Sequence, residues 1–314
     1  MKYIYESRAS TILYNLLITQ ADSRPWLLPA NICPIVPIIF LKAGIPFEFV
    51  DISTLTLHMD LEQVEDRIKA RKFGGLLYAH TYGEASTPHD FFYSLKDIAP
   101  DLFILDDRCL CVPGFESDAP VDLTLYSTGQ AKIVEMGFGG YALAQDHIDY
   151  LPVKLPFDPQ DYVELELSFK EAVQARKAFV YHDSSWLETT RPIPAWRDYR
   201  EKIKNGLEPS LAHRNELNAI YRELLPFEIQ LPQAYQKWRF NIRVKNKLNI
   251  LQAIFSAGLF ASSHYASLAG IMAEGYAPQA EILSNEIVNL FNDHHFDSRK
   301  AEKICKVILE NYEG

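Results

Sequence analysis

The sequence predicts an α/β protein, with a mostly parallel central sheet, helices on both its faces, and a smaller α+β C-terminal domain. Three observations carry that reading. Short apolar runs alternate with segments of helical periodicity from the N-terminus to about Tyr150. The run Leu102-Phe103-Ile104-Leu105 ends in the acid pair Asp106-Asp107. The run Leu125-Tyr126 ends in Ser127, with Lys132 shortly after it and Gly137-Phe138-Gly139-Gly140 leading into a further apolar stretch. An acid and a lysine at the ends of two strands stand where open α/β sheets gather their chemistry.

Each element has its own signal. Ser7 to Gln20 sets Ile12, Leu13, Leu16 and Leu17 on one helical face, with serines near its start as expected caps. Trp26-Leu27-Leu28-Pro29 reads as a short strand. Cys33 to Ala43 reads as an apolar helix with Pro34 near its first turn and Gly44 as its stop. Phe47 to Asp51 alternates as a strand does, and Leu61 to Arg71 is amphipathic. Gly75 to Ala79 is a strand, followed by a loop at His80-Thr81-Tyr82-Gly83, a helix from His89 to Ile98 and the strand at Leu102. Strands joined by helices in this order imply right-handed crossovers and a sheet covered on both faces.

After Tyr150 the alternation stops. Residues 150–195 are punctuated by proline, with one helix expected at Leu167 to Phe179. Beyond Trp196 the pattern gives a helix around Leu211 to Leu225, a strand at Trp238 to Val244 and a helix from Lys247 to Ala257. A strand at Glu286 to Phe291 and a closing helix at Ser298 to Tyr312 complete the tail. The expected division is a large domain over 1–195 and a small one over 196–314. No repeat and no low-complexity linker interrupts either part.

Composition narrows the function classes. Among 314 residues, 31 Lys and Arg stand against 41 Asp and Glu, a net charge of -10 that disfavours non-specific nucleic-acid binding. Cys33, Cys109, Cys111 and Cys305 are too sparse for a disulfide framework. The Cys109-x-Cys111 pair lacks the partners of a tetrahedral metal site, so no metal is expected. The first residues lack the apolar run of a signal peptide, and no segment reaches the ~20 apolar residues of a membrane span, so a cytoplasmic protein is expected. No Gly-x-Gly-x-x-Gly follows the first strand, which argues against a nicotinamide dehydrogenase. His294-His295 before Asp297 reads as a helix-capping turn. An amine able to form a Schiff base and a carboxylate able to pair with a pyridinium nitrogen are what pyridoxal phosphate (PLP) requires. Lys132 and Asp107 offer that pair.

At this point the chain resembles the DegT/DnrJ/EryC1/StrS family of sugar aminotransferases, which are fold-type I PLP-dependent enzymes. The resemblance runs through most of residues 6–310 and is strongest from Pro29 to Leu143. It rests on Leu28-Pro29 with Ala43-Gly44-Ile45-Pro46 and Phe49-Val50-Asp51, on His80-Thr81-Tyr82-Gly83, and on Ile104-Leu105-Asp106-Asp107. Ser127, Lys132 and Gly137 to Gly140 complete it, and Ser262-Ser263-His264-Tyr265 resembles a His-Tyr element of the small domain.

The resemblance implies roles. Lys132 would be the internal-aldimine lysine, and Asp107 the partner of the pyridine nitrogen, with Asp106 as a cap or support. Ser127, together with backbone amides around Arg8 and Ala9, would bind the cofactor phosphate. His80 would line the pocket or serve as a loop histidine with a backbone partner. His264 and Tyr265 would pack in the small domain or reach the substrate. The implied reaction moves an amino group from an amino acid, glutamate or glutamine, to a keto-sugar nucleotide, in a homodimer whose active sites share residues. The family's dehydratases carry histidine in place of the lysine, and Lys132 argues against that branch.

The chain also departs from the pattern. Arg8 stands where the family commonly has a small hydroxyl residue, Cys33 where an aromatic residue stacks on the pyridine ring, and Leu110 where a polar side chain is usual. These departures motivate a second reading, a catalytically weak PLP-fold protein with a binding or regulatory role.

Overall fold

The computed structural model describes residues 1–117 and 119–312. It begins with strand β1 (Lys2–Glu6), helix α1 (Ala9–Gln20), β2 (Trp26–Pro29), α2 (Ile35–Ala43), β3 (Phe47–Val50), α3 (Leu61–Ala70) and β4 (Gly75–Ala79). A 3-10 turn at Thr81–Gly83 leads to α4 (His89–Ile98), β5 (Phe103–Asp107), β6 (Leu123–Ser127) and β7 (Gly140–Ala144). Then follow α5 (Pro159–Ala175), α6 (Trp196–Leu224), β8 (Phe240–Arg243), α7 (Lys247–Ser256), β9 (Ala261–Ser262), α8 (Pro278–Glu286), β10 (Ile287–Leu290) and α9 (Ser298–Asn311).

The central sheet runs β1-β7-β6-β5-β4-β2-β3, and β8-β10-β9 form a small antiparallel sheet. From β3 to β6 every pairing is parallel; β7 runs antiparallel to β6, and β1 antiparallel to β7. The mostly parallel α/β architecture expected from the alternation is therefore present. Register does the functional work: Ala79 lies opposite Asp107, Asp107 opposite Leu125, and Ser127 opposite Gly140. The carboxyl ends of β4, β5 and β6 thus meet at one edge.

Strand periodicity distributes the core. Leu77, Leu105 and Leu125 face one buried cluster, while Leu76, Tyr78 and Ile104 face another. Local signals explain the element ends. Gly44 closes α2 at φ 69, and Asp60 caps α3 by accepting from the amides of Glu62 and Gln63.

The tail departs from expectation in boundaries more than in kind. The helix expected at Leu167 to Phe179 occupies Pro159–Ala175, started by Asp158 as cap and Pro159 in its first turn. None of its residues is buried, so apolar periodicity was a poor guide to it. The helix expected from Leu211 begins at Trp196 and runs 29 residues through Pro209. Its first half packs Tyr199 and Ile203 with Tyr126 and Tyr141 of the large sheet. Its second half packs Leu217 and Tyr221 with Phe240 and Val288 of the small one. The expected boundary at 195/196 falls at the first residue of this bridging helix. Strand β1 and helix α8 were not anticipated. Nor do serines cap α1: its N-cap is Arg8, with no side-chain hydrogen bond to the first turn.

Candidate active site

Strand alternation turns the two acids at the end of β5 to opposite faces. Asp106 is fully buried. Its carboxylate accepts from His80 Nε2 at 2.6 Å and from Arg108 Nε at 2.6 Å. Burial alone would raise this carboxyl, but the hydrogen bonds and charges of His80 and Arg108 outweigh it and hold it below the usual carboxylate range. Asp107 faces the other way, into a cleft lined also by Cys33, His80, Thr81, Cys109, Lys132 and Tyr265. The Cys109 amide donates to Asp107 Oδ1 at 2.9 Å and fixes the carboxylate.

Lys132 sits on the loop between β6 and β7, and that loop is held from outside. Trp238 Nε1 donates to the Ala131 carbonyl at 2.7 Å, and Arg214 donates to the Lys132 carbonyl at 2.9 Å. Ser210 donates to the Ile133 carbonyl. Ala131 has φ 55, a left-handed backbone unusual for alanine, and the Trp238 bond stabilises it. Within the loop Thr128 Oγ1 donates to the Phe138 carbonyl at 2.7 Å, and Tyr199 Oη lies 2.7 Å from Thr128 Oγ1. The aim of Lys132 is thus set by residues more than 70 positions away in the chain.

The N-terminus of α1 closes the same edge. A Cβ on Gly140 would overlap the Ala9 backbone, so only glycine lets the helix end approach β7 beside Ser127. Gly139 has φ 95 and is crowded by Thr128 and Tyr199, which again demands glycine. Ser7 Oγ is buried here without a hydrogen-bond partner. Ser127 Oγ accepts from the Gly129 amide at 3.3 Å. The Arg8 guanidinium turns to Glu188 Oε2 at 3.7 Å.

The structure therefore brings Lys132, Asp107, Cys33 and His80 to one cleft, with Ser127 and Ala9 at its sheet edge and Arg8 held by Glu188. His80 lines the cleft with both ring nitrogens already engaged, Nε2 by Asp106 and Nδ1 by the Glu84 carbonyl at 2.8 Å. Tyr265, expected as packing or as a substrate contact, stands in the cleft against Cys33 and stacks on Trp238 with ring centroids 6.4 Å apart. Cys33, Cys109 and Tyr265 each keep an edge open to the cleft, yet protein crowds them elsewhere. Burial pushes the Cys33 thiol up against the opposing charge of Lys132, and pushes Cys109 and Tyr265 well up. Cys109 could be found from its place after Asp107. Trp238, Arg214 and Ser210 carry no local signal, because their role exists only in the tertiary contact.

No family model matches this sequence, and no curated protein matches it. Similar solved structures include a DegT/DnrJ/EryC1/StrS aminotransferase from Brucella abortus, at 16% identity and a TM-score of 0.68, covering 100% of this chain and 87% of that one. PseC from Helicobacter pylori, an aminotransferase in pseudoaminic acid biosynthesis, is similar at 13% identity and a TM-score of 0.71, covering 99% and 87%. Spr1654 from Streptococcus pneumoniae in its PLP form is similar at 16% identity and a TM-score of 0.71, covering 99% and 88%. The likeness in fold and the resemblance read from the residues name the same set of proteins. The chain has the fold of these aminotransferases.

Proposed function

We propose that the chain is a PLP-dependent aminotransferase that moves an amino group from an amino acid to a keto-sugar nucleotide. The carrying observation is that Lys132, on the β6–β7 loop, and Asp107, at the end of β5, face one cleft. The donor set suits the cofactor. An amine and a carboxylate share the cleft, and the orphaned Ser7 Oγ lies beside a helix N-terminus without a side-chain cap, a place that favours a phosphate. When bound, PLP supplies an aldehyde for amines and a ring that draws off electrons as a proton leaves.

In this reading Lys132 holds the cofactor and carries a proton at its amine. Asp107 accepts from the protonated ring nitrogen and keeps that charge in place. Ser127 and the first amides of α1 donate to the phosphate. Cys33, Cys109 and Tyr265 wall the cleft and exclude water, which strengthens the electrostatic contacts inside it. A sugar substrate is supported by Spr1654, described as a sugar aminotransferase, and glutamate or glutamine as donor by the sequence resemblance.

The reading includes a cytoplasmic homodimer. The 17-residue helix α5 has no buried residue and exposes Tyr162, Val163 and Leu167. A partner subunit packed on α5 would cover these exposed apolar side chains, and two-fold dimers are the commonest soluble assembly. Among the described residues, no helix is long and apolar enough to cross a membrane. The four cysteines are free.

One observation favours the second reading, a weakly active binding protein: Glu188 already occupies Arg8 beside the expected phosphate place. A single experiment separates the two. Purified protein is titrated with PLP and followed by absorbance, then given glutamate or glutamine and a panel of keto-sugar nucleotides. A visible band that shifts with the donor, with amino-sugar product, supports the enzyme. PLP binding without transfer supports the alternative.

A further inference from the structure

Behind the cleft wall, on the Asp106 side of β5, His58, His80 and Glu84 converge. One ligand-capable atom of each lies within 4.8 Å of the others. We propose that this cluster is a divalent-metal site, suited to zinc, with His58 Nε2, a His80 ring nitrogen and a Glu84 carboxylate oxygen as ligands.

The unexplained atom is His58 Nε2. It is buried, has no hydrogen-bond partner, and belongs to a side chain only 4% exposed. It points toward Glu84 Oε2 at 3.6 Å, too long for a hydrogen bond. His58 Nδ1 lies 2.8 Å from Tyr78 Oη, and the tautomer that donates to that oxygen leaves the Nε2 lone pair toward the cluster. That is the form a metal requires.

The surroundings match a metal site's supporting groups. His80 Nε2 stays on the Asp106 carboxylate, while Nδ1 turns from the Glu84 carbonyl to the metal. This gives the carboxylate–histidine arrangement common behind metal ligands, with Tyr78 playing the equivalent part for His58. Two imidazoles and one carboxylate suit zinc, with a fourth position left to water. Tetrahedral ligands at zinc distances lie about 3.3 Å apart, so side-chain shifts of about 1 Å close the site. A metal here would clamp the loop carrying His80 and Thr81, both of which line the cleft.

A second cluster, Glu135 with His294 and His295, also has ligand geometry, but both of its imidazoles are exposed. The test is therefore run in the full chain carrying His294→Ala and His295→Ala. Chelator-treated protein is titrated with Zn²⁺ against a chromophoric competitor, and with Co²⁺ while its visible absorbance is recorded. One equivalent of zinc and a tetrahedral Co²⁺ spectrum are expected. Tyr78→Phe should weaken zinc binding by about 10- to 100-fold. Glu84→Gln, which preserves shape should His58→Gln fail to fold, should weaken it at least as much. Loss of all zinc binding on removing His294 and His295 would overturn the proposal, as would an affinity unmoved by Glu84→Gln.

Discussion

Asp106 and Asp107 are neighbours on one strand, yet they meet opposite fates. Asp106, 0% exposed, is held by two charge-assisted bonds at 2.6 Å. Asp107, 9% exposed, takes one backbone amide and otherwise faces a cleft with an amine in it. A buried carboxylate whose acceptors are filled is part of the frame. One left open to a cleft is available to a ligand. Two residues of identical chemistry are thus turned, one to a packed network and one to an open cleft, by the pleat of the strand alone.

The comparison breaks most decisively at Lys132. Lys132→Ala is expected to abolish borohydride-fixed labelling by PLP while the protein keeps its fold. Undiminished labelling would remove Lys132 from the cofactor site. The next largest effect is expected on the opposite face. Asp106→Asn leaves His80 and Arg108 without their buried anion and should lower stability by about 3–5 kcal/mol in urea unfolding. A loss within 1 kcal/mol would show that the network is not structural. Asp107→Asn should leave the unfolding midpoint nearly unchanged but lower transamination by about 100-fold or more. If both variants fall equally in stability and in rate, the division between the faces is wrong.

The sequence shows one face of this comparison better than the other. Apolar strands, the Asp-Asp pair and the Ser127–Lys132–Gly140 spacing are local patterns. Their registry follows once the strands are parallel, which is why Lys132 and Asp107 meet as expected. The anchors of the Lys132 loop are invisible for the opposite reason. Trp238 and Arg214 look like ordinary core residues until the chain folds back on Ala131 and Lys132. The helix expected at Leu167 to Phe179 lies earlier, at Pro159–Ala175, because only a thin stripe including Leu165 and Phe169 packs on the core and marks its bounds poorly. His58 stands far from His80 and Glu84 in sequence, with no spacing to suggest a cluster.

The Asp106 face also carries a pH dependence, through His58. His58 titrates at about 4 in the folded protein against an ordinary 6.5, because burial and then His80 disfavour its charge, while Glu84 and Asp106 act the other way. Tyr78 and Tyr235 pack against the same ring. Between those values the unfolded chain binds more protons than the folded one, so stability falls as pH is lowered through the window. At about 1.4 kcal/mol per unit, metal-free protein stands to lose up to about 3 kcal/mol by this route. Urea midpoints across the window, compared with those of His58→Gln, check it. An identical slope in the variant would assign the loss to other groups.

The smallest effect expected is at Ser7, the other unfilled polar group at the sheet edge. Its hydroxyl is buried with no partner, while the helix it precedes has no side-chain cap. Burying a hydroxyl without a hydrogen bond is unfavourable, so Ser7→Ala should raise the stability of cofactor-free protein by up to about 1 kcal/mol. If the same oxygen donates to a phosphate, the variant should also lose part of the melting-temperature rise that PLP produces. Thermal unfolding with and without PLP reads both quantities in one series. A raised baseline with a diminished PLP shift makes Ser7 the counterpart of Asp107, a group left unfilled for a ligand. A raised baseline with an unchanged shift makes it a packing defect, and leaves the phosphate to Ser127 and the first amides of α1.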